Sequence, residues 1–189
     1  MKVIQLRGTN ATGKTTAIRQ FIEHGQFTVQ SIEVEKTPIE YHWEERRRIA
    51  ILGRYDTRVT GGIDGRIKDK NLLKFAIIKM IKTVRPEVLL FEGIVYGVTY
   101  KFAYELARIL RGLGADYTGI CFMPPFEVVF MRLEQRNGGK VVNYMSVQNK
   151  WFTAQSAYKR LKQSGVNVKA IDTTKVPKDD MYKIIEEEL

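Results

Sequence analysis

Eight residues near the N-terminus, Gly8-Thr9-Asn10-Ala11-Thr12-Gly13-Lys14-Thr15, have the types and spacing that wrap an anion. They match G-x-x-x-x-G-K-[ST] at each fixed position. In such a loop the backbone N–H groups point inward, and the following helix adds the positive end of its dipole. The side chain of Lys14 is placed to reach outer phosphates, and the Thr15 hydroxyl to ligate Mg²⁺. The expected cradle comprises Gly8, Asn10, Ala11, Thr12, Gly13, Lys14, Thr15 and Thr16.

Other candidates lie far along the chain. Glu92 ends the apolar run Val88-Leu89-Leu90-Phe91. A carboxylate at the carboxyl end of a parallel strand stands where such sheets bind ligands. It is a candidate either for holding Mg²⁺ through water or for touching an acceptor. Arg132 and Arg136 are four residues apart, so on a helix they share one face. Two converging guanidiniums can neutralise a transferring phosphoryl group. A hydroxyl acceptor benefits from a carboxylate that takes its proton. Glu35, Asp56 and Asp64 are the candidates, with Arg54, Gly61 and Gly62 beside the two aspartates. Bare backbone at Gly61-Gly62 permits close approach to a substrate. Tyr41, Trp43 and Tyr55 are of a type that stacks on bases, as are Tyr96 and Tyr100, though core packing is the commoner role.

These residues need a scaffold. Val3-Ile4-Gln5-Leu6 reads as a buried strand before the loop, and Thr16 to Ile22 as a helix after it. Strands are expected at 27–34, 49–53, 88–91, 120–123 and 166–171. Pro38 reads as an interruption, followed by a mixed stretch with Trp43. Helices are expected at 71–84, 100–113, 126–136, 151–162 and after Pro177, with Gly112 and Gly114 closing the second. Alternating strands and helices imply an α/β fold, a three-layer domain over 1–189 around a parallel sheet of about five strands.

Composition narrows the class. Apolar content of 44% suits a globular chain, and no run approaches the roughly 18 apolar residues of a membrane span. A single cysteine, Cys121, lies in an apolar run and has no disulfide partner, which suits a reduced, cytoplasmic setting. Residues 36–85 carry 13 Lys/Arg against 6 Asp/Glu, so most of the +10 net charge sits there. A basic face favours phosphate-rich partners, nucleic acid above all.

The loop at 8–15, Phe91-Glu92-Gly93 and the Arg132/Arg136 pair resemble the P-loop kinases of nucleotides and polynucleotides. The resemblance implies a P-loop NTPase fold, ATP and Mg²⁺, and an arginine-bearing helical lid at about 132–150. Leu52-Gly53-Arg54-Tyr55-Asp56 followed by Gly61-Gly62-Ile63-Asp64 is similar to small phage-encoded P-loop kinases, some of which phosphorylate 5-hydroxymethyluracil in DNA. That likeness implies Asp64 among the catalytic groups with Lys14, Glu92, Arg132 and Arg136. It implies Arg54, Asp56, Gly61, Gly62 and Asp64 as contacts to a DNA or nucleotide acceptor, and action in a host cytoplasm. A nucleoside or deoxynucleoside monophosphate kinase, a polynucleotide 5′-kinase and a nucleic-acid-dependent ATPase fit the same motifs.

Overall fold

A computed structural model describes residues 1–55, 62, 63, 67, 69–138 and 140–189, with Ile94 and Val95 described by backbone alone. The strands are β1 (Lys2–Arg7), β2 (Thr28–Val34), β3 (Thr37–Glu44), β4 (Ile49–Leu52), β5 (Val88–Glu92), β6 (Asp116–Phe122) and β7 (Val168–Ile171). The helices are α1 (Lys14–His24), α2 (Lys70–Thr83), α3 (Ile94–Gly97), α4 (Tyr100–Gly112), α5 (Phe126–Arg136), α6 (Tyr144–Gln163) and α7 (Lys183–Glu186), with a 3₁₀ turn at Lys178–Asp180 before the last.

One sheet runs in the order β2-β3-β4-β5-β1-β6-β7. Strands β4, β5, β1, β6 and β7 are parallel neighbours and are five of the six expected strand segments, the sixth being β2. The sheet is nevertheless seven-stranded, because β2 and β3 form a hairpin that adds antiparallel to β4. β3 contains Pro38, so that proline does not interrupt regular structure. It pairs with Glu33 of β2, outside the stretch Tyr41–Glu44 that pairs with β4. A missing N–H is tolerated in such a place.

Alternation along the strands sorts the core onto two faces. Val3, Leu89 and Phe91 meet Leu73, Ile77, Met80, Leu106 and Leu110 from α2 and α4. Ile4, Leu6, Leu90 and Phe122 meet Ile18, Phe21, Ile184 and Ile185 from α1 and α7. Central strands covered on both faces read as continuous apolar runs, as Val88–Phe91 does. Each fully buried Ile, Leu or Phe contributes about 1.5–3 kcal/mol relative to exposure, so these two layers hold the strand ends in place. α6 starts seven residues earlier than the expected 151, because the Asn143 side chain accepts the Ser146 N–H at 2.9 Å and caps it. Among the described residues no helix is long and apolar enough to cross a membrane.

Candidate active site

The carboxyl ends of β1 and β5 lie side by side, with Leu6 in register with Glu92. The chain leaves β1 at Gly8, whose φ of +130° and lack of a Cβ are both required. A Cβ there would stand 2.6 Å from the Phe122 carbonyl oxygen. Ala11 has φ 58° and Gly13 φ 102°, so the loop curls back before α1 begins at Lys14. Its turns are locked by the Thr12 hydroxyl donating to Thr9 O at 3.0 Å, and by the Thr173 hydroxyl donating to Thr12 O at 3.1 Å.

Lys14 is buried, and its Nζ donates to Gly8 O at 3.0 Å and Thr9 O at 2.6 Å. The ammonium therefore sits over the loop on carbonyl partners. The Thr15 Oγ1 donates to Glu92 Oε1 at 2.6 Å, and Glu92 is only 3% exposed. Residues 10–16, Glu92, Gly93 and Arg136 line a cavity of about 120 Å³. All expected cradle residues but Gly8 line it; Gly8 forms the turn beneath. A second, larger cavity of about 520 Å³ adjoins it, walled by Ala11, Gly13, Arg132, Thr173, Val176 and Met181 among others. The small cavity has the size and donors for a phosphate chain, and the larger one has the mixed polar and apolar walls that suit a nucleoside.

The two arginines do different things. Arg132 Nη1 donates to Ala11 O at 3.4 Å and Thr173 Oγ1 at 3.3 Å, which ties α5 to the loop. Arg136 is exposed and borders both cavities. Spacing placed them on one helix face, as expected, but only Arg136 borders the phosphate cavity.

On the acceptor side, Gly53 has φ +120° and Gly62 φ +88°. A Cβ on Gly53 would stand 2.8 Å from the Gly62 carbonyl carbon, and one on Gly62 would stand 3.1 Å from Glu92 Cγ. Ile63 N–H donates to Glu92 O at 3.3 Å. The bare backbone at Gly62 thus approaches Glu92, within the protein itself. Arg54 lies near Glu40, with Nε to Oε2 at 3.7 Å. Asp56, Gly61 and Asp64 lie outside the described residues. Glu35 sits in the exposed β2–β3 turn, away from the phosphate cavity.

The aromatic candidates take the commoner, packing role. Tyr41, Trp43 and Tyr55 are core residues, at 5%, 9% and 5% exposure, and do not present faces to a base. Tyr96 is fully buried, with its hydroxyl donating to Ile67 O at 2.6 Å. Tyr100 faces α6, with Arg160 stacked 4.2 Å above its ring. One expectation is corrected: among the described residues the basic middle segment is not one face. Arg46, Arg47 and Arg48 occupy the β3–β4 turn, at the amino end of β4 and the opposite end of the sheet from the phosphate loop. Arg47 pairs with Glu44 at 2.7 Å and Glu186 at 3.0 Å, and Arg48 approaches Glu87.

Nothing in the pattern pointed to Arg7. It is 1% exposed, donates to Gln5 Oε1 at 2.9 Å and Thr99 O at 3.0 Å, and reaches Tyr96 O at 3.4 Å. The Tyr117 hydroxyl shares Gln5 Oε1 at 2.6 Å. Gly119 makes room, since a Cβ there would stand 3.1 Å from Arg7 Cδ. This fork joins the end of β1 to the α3–α4 connection, just before the loop starts. Burial pushes the Tyr117 phenol up to about 12 and the Cys121 thiol up to about 11, with Arg7 opposing both shifts. Cys121 is an inert buried thiol, as expected.

No protein-family model matches the sequence. Over 186 residues, 95% of this chain and 95% of the relative, it is 28% identical to a curated protein of Pseudomonas phage M6 named 5-hmdU DNA kinase. Among solved structures, the Deinococcus radiodurans tunicamycin resistance protein aligns with a TM-score of 0.56 and 16% identity, covering 99% of this chain and 94% of that one. That likeness concerns the fold. Deoxyadenosine kinase from M. mycoides with bound dCTP aligns at a TM-score of 0.48 and 11% identity over 100% of this chain and 98% of its own, which is too distant to carry weight. The phosphate loop, the parallel sheet that presents it and the relative aligned over 95% of both chains mark a phosphotransferase similar to the P-loop kinases of nucleotides and polynucleotides.

Proposed function

We propose that the chain transfers the γ-phosphoryl group of ATP to the hydroxyl of a 5-hydroxymethyluracil base within DNA. The observation that carries the transfer chemistry is the partly buried Thr15–Glu92 contact beside Lys14, at the joined ends of β1 and β5. The acceptor rests on the phage relative, which aligns over nearly all of both chains.

In this reading the amides of residues 8–16 and the Lys14 ammonium hold the phosphate chain, and the larger cavity receives the nucleoside. Thr15 and Glu92 offer hard oxygen donors 2.6 Å apart, which fit Mg²⁺ bound directly or through water. An ion that keeps several waters and takes ligands from phosphates needs few protein groups. When bound, Mg²⁺ offsets charge on the phosphate oxygens.

The hydroxymethyl oxygen of the base forms the new P–O bond as the bond to the departing ADP oxygen breaks. The hydroxyl proton passes to a carboxylate, for which we propose Asp64. Arg136 neutralises charge on the moving phosphoryl group, and Arg132 keeps the loop in shape for it. Positioning and charge neutralisation supply most of the rate in such transfers. The chain acts as one domain, and residues 132–150 serve as the lid that excludes water.

The test is an acceptor panel with γ-labelled ATP: duplex with 5-hydroxymethyluracil and blocked 5′ ends, the same duplex with thymine, and free hydroxymethyldeoxyuridine monophosphate. Label on the first alone supports the proposal. Label only on the free nucleotide, or only on unblocked ends, refutes it.

A further inference from the structure

Acidic residues number 21 of 189, so a stretch of 37 should carry about four. Between Glu134 and Asp172 there are none, and there are seven Lys or Arg. This stretch runs from the end of α5 through α6 to β7. Lys169 pairs with Glu188 and Arg160 stacks on Tyr100. Arg136, Lys140, Lys150, Lys159 and Lys162 form no ion pair among the described residues.

The same stretch exposes apolar side chains that a soluble surface rarely groups. Val141 is 96% exposed, Met145 60%, Phe152 54% and Tyr144 47%. On α6, Met145, Phe152 and Lys159 recur at seven-residue steps and therefore share one face. The Tyr144 ring packs edge-on against Phe126 and Phe130 of α5. α5 borders the phosphate cavity at Arg136, and Phe130 and Phe126, on which Tyr144 packs, lie about 9 and 15 Å back along the same helix.

We propose that this carboxylate-free arm, the 140–145 connection and the outer face of α6, binds the DNA strand flanking the acceptor base. Lys140 and Lys159 meet backbone phosphates, and Tyr144, Met145 and Phe152 meet unstacked bases. Charge selects the occupant: unpaired cations interleaved with rings suit a polyanion with π-faces. This rests on the acceptor being part of DNA, and it moves the DNA contact from the Arg46–Arg48 turn to the arm.

The experiment is fluorescence anisotropy of labelled duplex containing 5-hydroxymethyluracil, over a salt series. It compares wild type, the double variant Met145→Ser with Phe152→Ser, and the double variant Lys140→Ser with Lys159→Ser. All four side chains are exposed, and thermal melts report that each variant remains folded. The apolar pair should weaken binding by at least about tenfold with an unchanged salt slope. The lysine pair should lower the log–log salt slope by about 1–2. Wild-type affinity and slope in both variants overturn the proposal. So does a wild-type dimer that Phe152→Ser converts to monomer while DNA affinity stays the same, since the patch is then a contact between copies. If wild type phosphorylates the duplex while both variants bind it normally, the arm is wrong and the acceptor stands. If the variants lose DNA binding while only free nucleotide is phosphorylated, the arm stands and the acceptor is wrong.

Discussion

The Thr15 hydroxyl donates to the Glu92 carboxylate across 2.6 Å, joining two residues 77 apart in the chain. The contact exists because β1 and β5 are parallel neighbours whose carboxyl ends coincide. Both groups are proposed to serve one metal ion, so their effects should not add. Thr15→Ala and Glu92→Gln should each lower kcat by about 10²–10³. The double variant should lose little more than the worse single one. Steady-state kinetics over a Mg²⁺ series checks this, and full additivity would count against a shared ion.

Gly53 and Gly62 seat the acceptor-side segment on Glu92. Gly53→Ala forces a Cβ to within 2.8 Å of the Gly62 backbone at φ +120°. It should cost about 1–3 kcal/mol in stability and lower turnover as well. Gly114 also has positive φ, at +71°, but a Cβ there meets nothing within 4 Å. Gly114→Ala should cost only the left-handed backbone penalty of about 1–2 kcal/mol and leave kcat unchanged. Thermal melts paired with rates separate the two.

Arg132 and Arg136 should divide by kinetic parameter. Arg132→Ala removes the tie to Ala11 O and Thr173 Oγ1. It should loosen the loop and raise KM for ATP more than it lowers kcat. Arg136→Ala takes a free cation from the cavity wall. It should lower kcat with a smaller change in KM. The reverse pattern would exchange their roles.

Burial raises Cys121 to about 11 from an ordinary 9.0, and Tyr117 to about 12 from 10.0. The unfolded chain gives up these protons first as pH rises. Stability is therefore undiminished below about pH 9 and falls progressively from there to about pH 12. Cys121→Ala should remove the part of the loss that begins near pH 9. Folded protein at pH 8 should leave Cys121 unmodified by a thiol reagent. Rapid labelling of the native chain would contradict its burial.

The phosphate loop was legible because its chemistry is local: loop, preceding strand and following helix are contiguous in sequence. The five parallel strands were legible for the same reason, as apolar runs between helical patterns. β3 was not, because Pro38 weighs against a strand until its place beyond the β4 ladder is known. Missing β3 also hid the reversal of chain direction between β3 and β4, where the Arg46–Arg48 run sits. The hairpin carries that run to the far end of the sheet. Arg7 left no trace in the pattern, since its partners are two backbone carbonyls, at Tyr96 and Thr99, and the side chain of Gln5. The pairing of Thr15 with Glu92 depended on strand order, which spacing alone does not supply.

The central claim is that the Gly8–Thr16 cradle holds a nucleoside triphosphate through Lys14. Calorimetric titration of Mg·ATP into wild type and Lys14→Met tests it most directly. The expected result is saturable binding at one site per chain, weakened at least tenfold in the variant, with melting curves showing that both proteins are folded. Equal heats for the two folded proteins, or none from wild type, would contradict it.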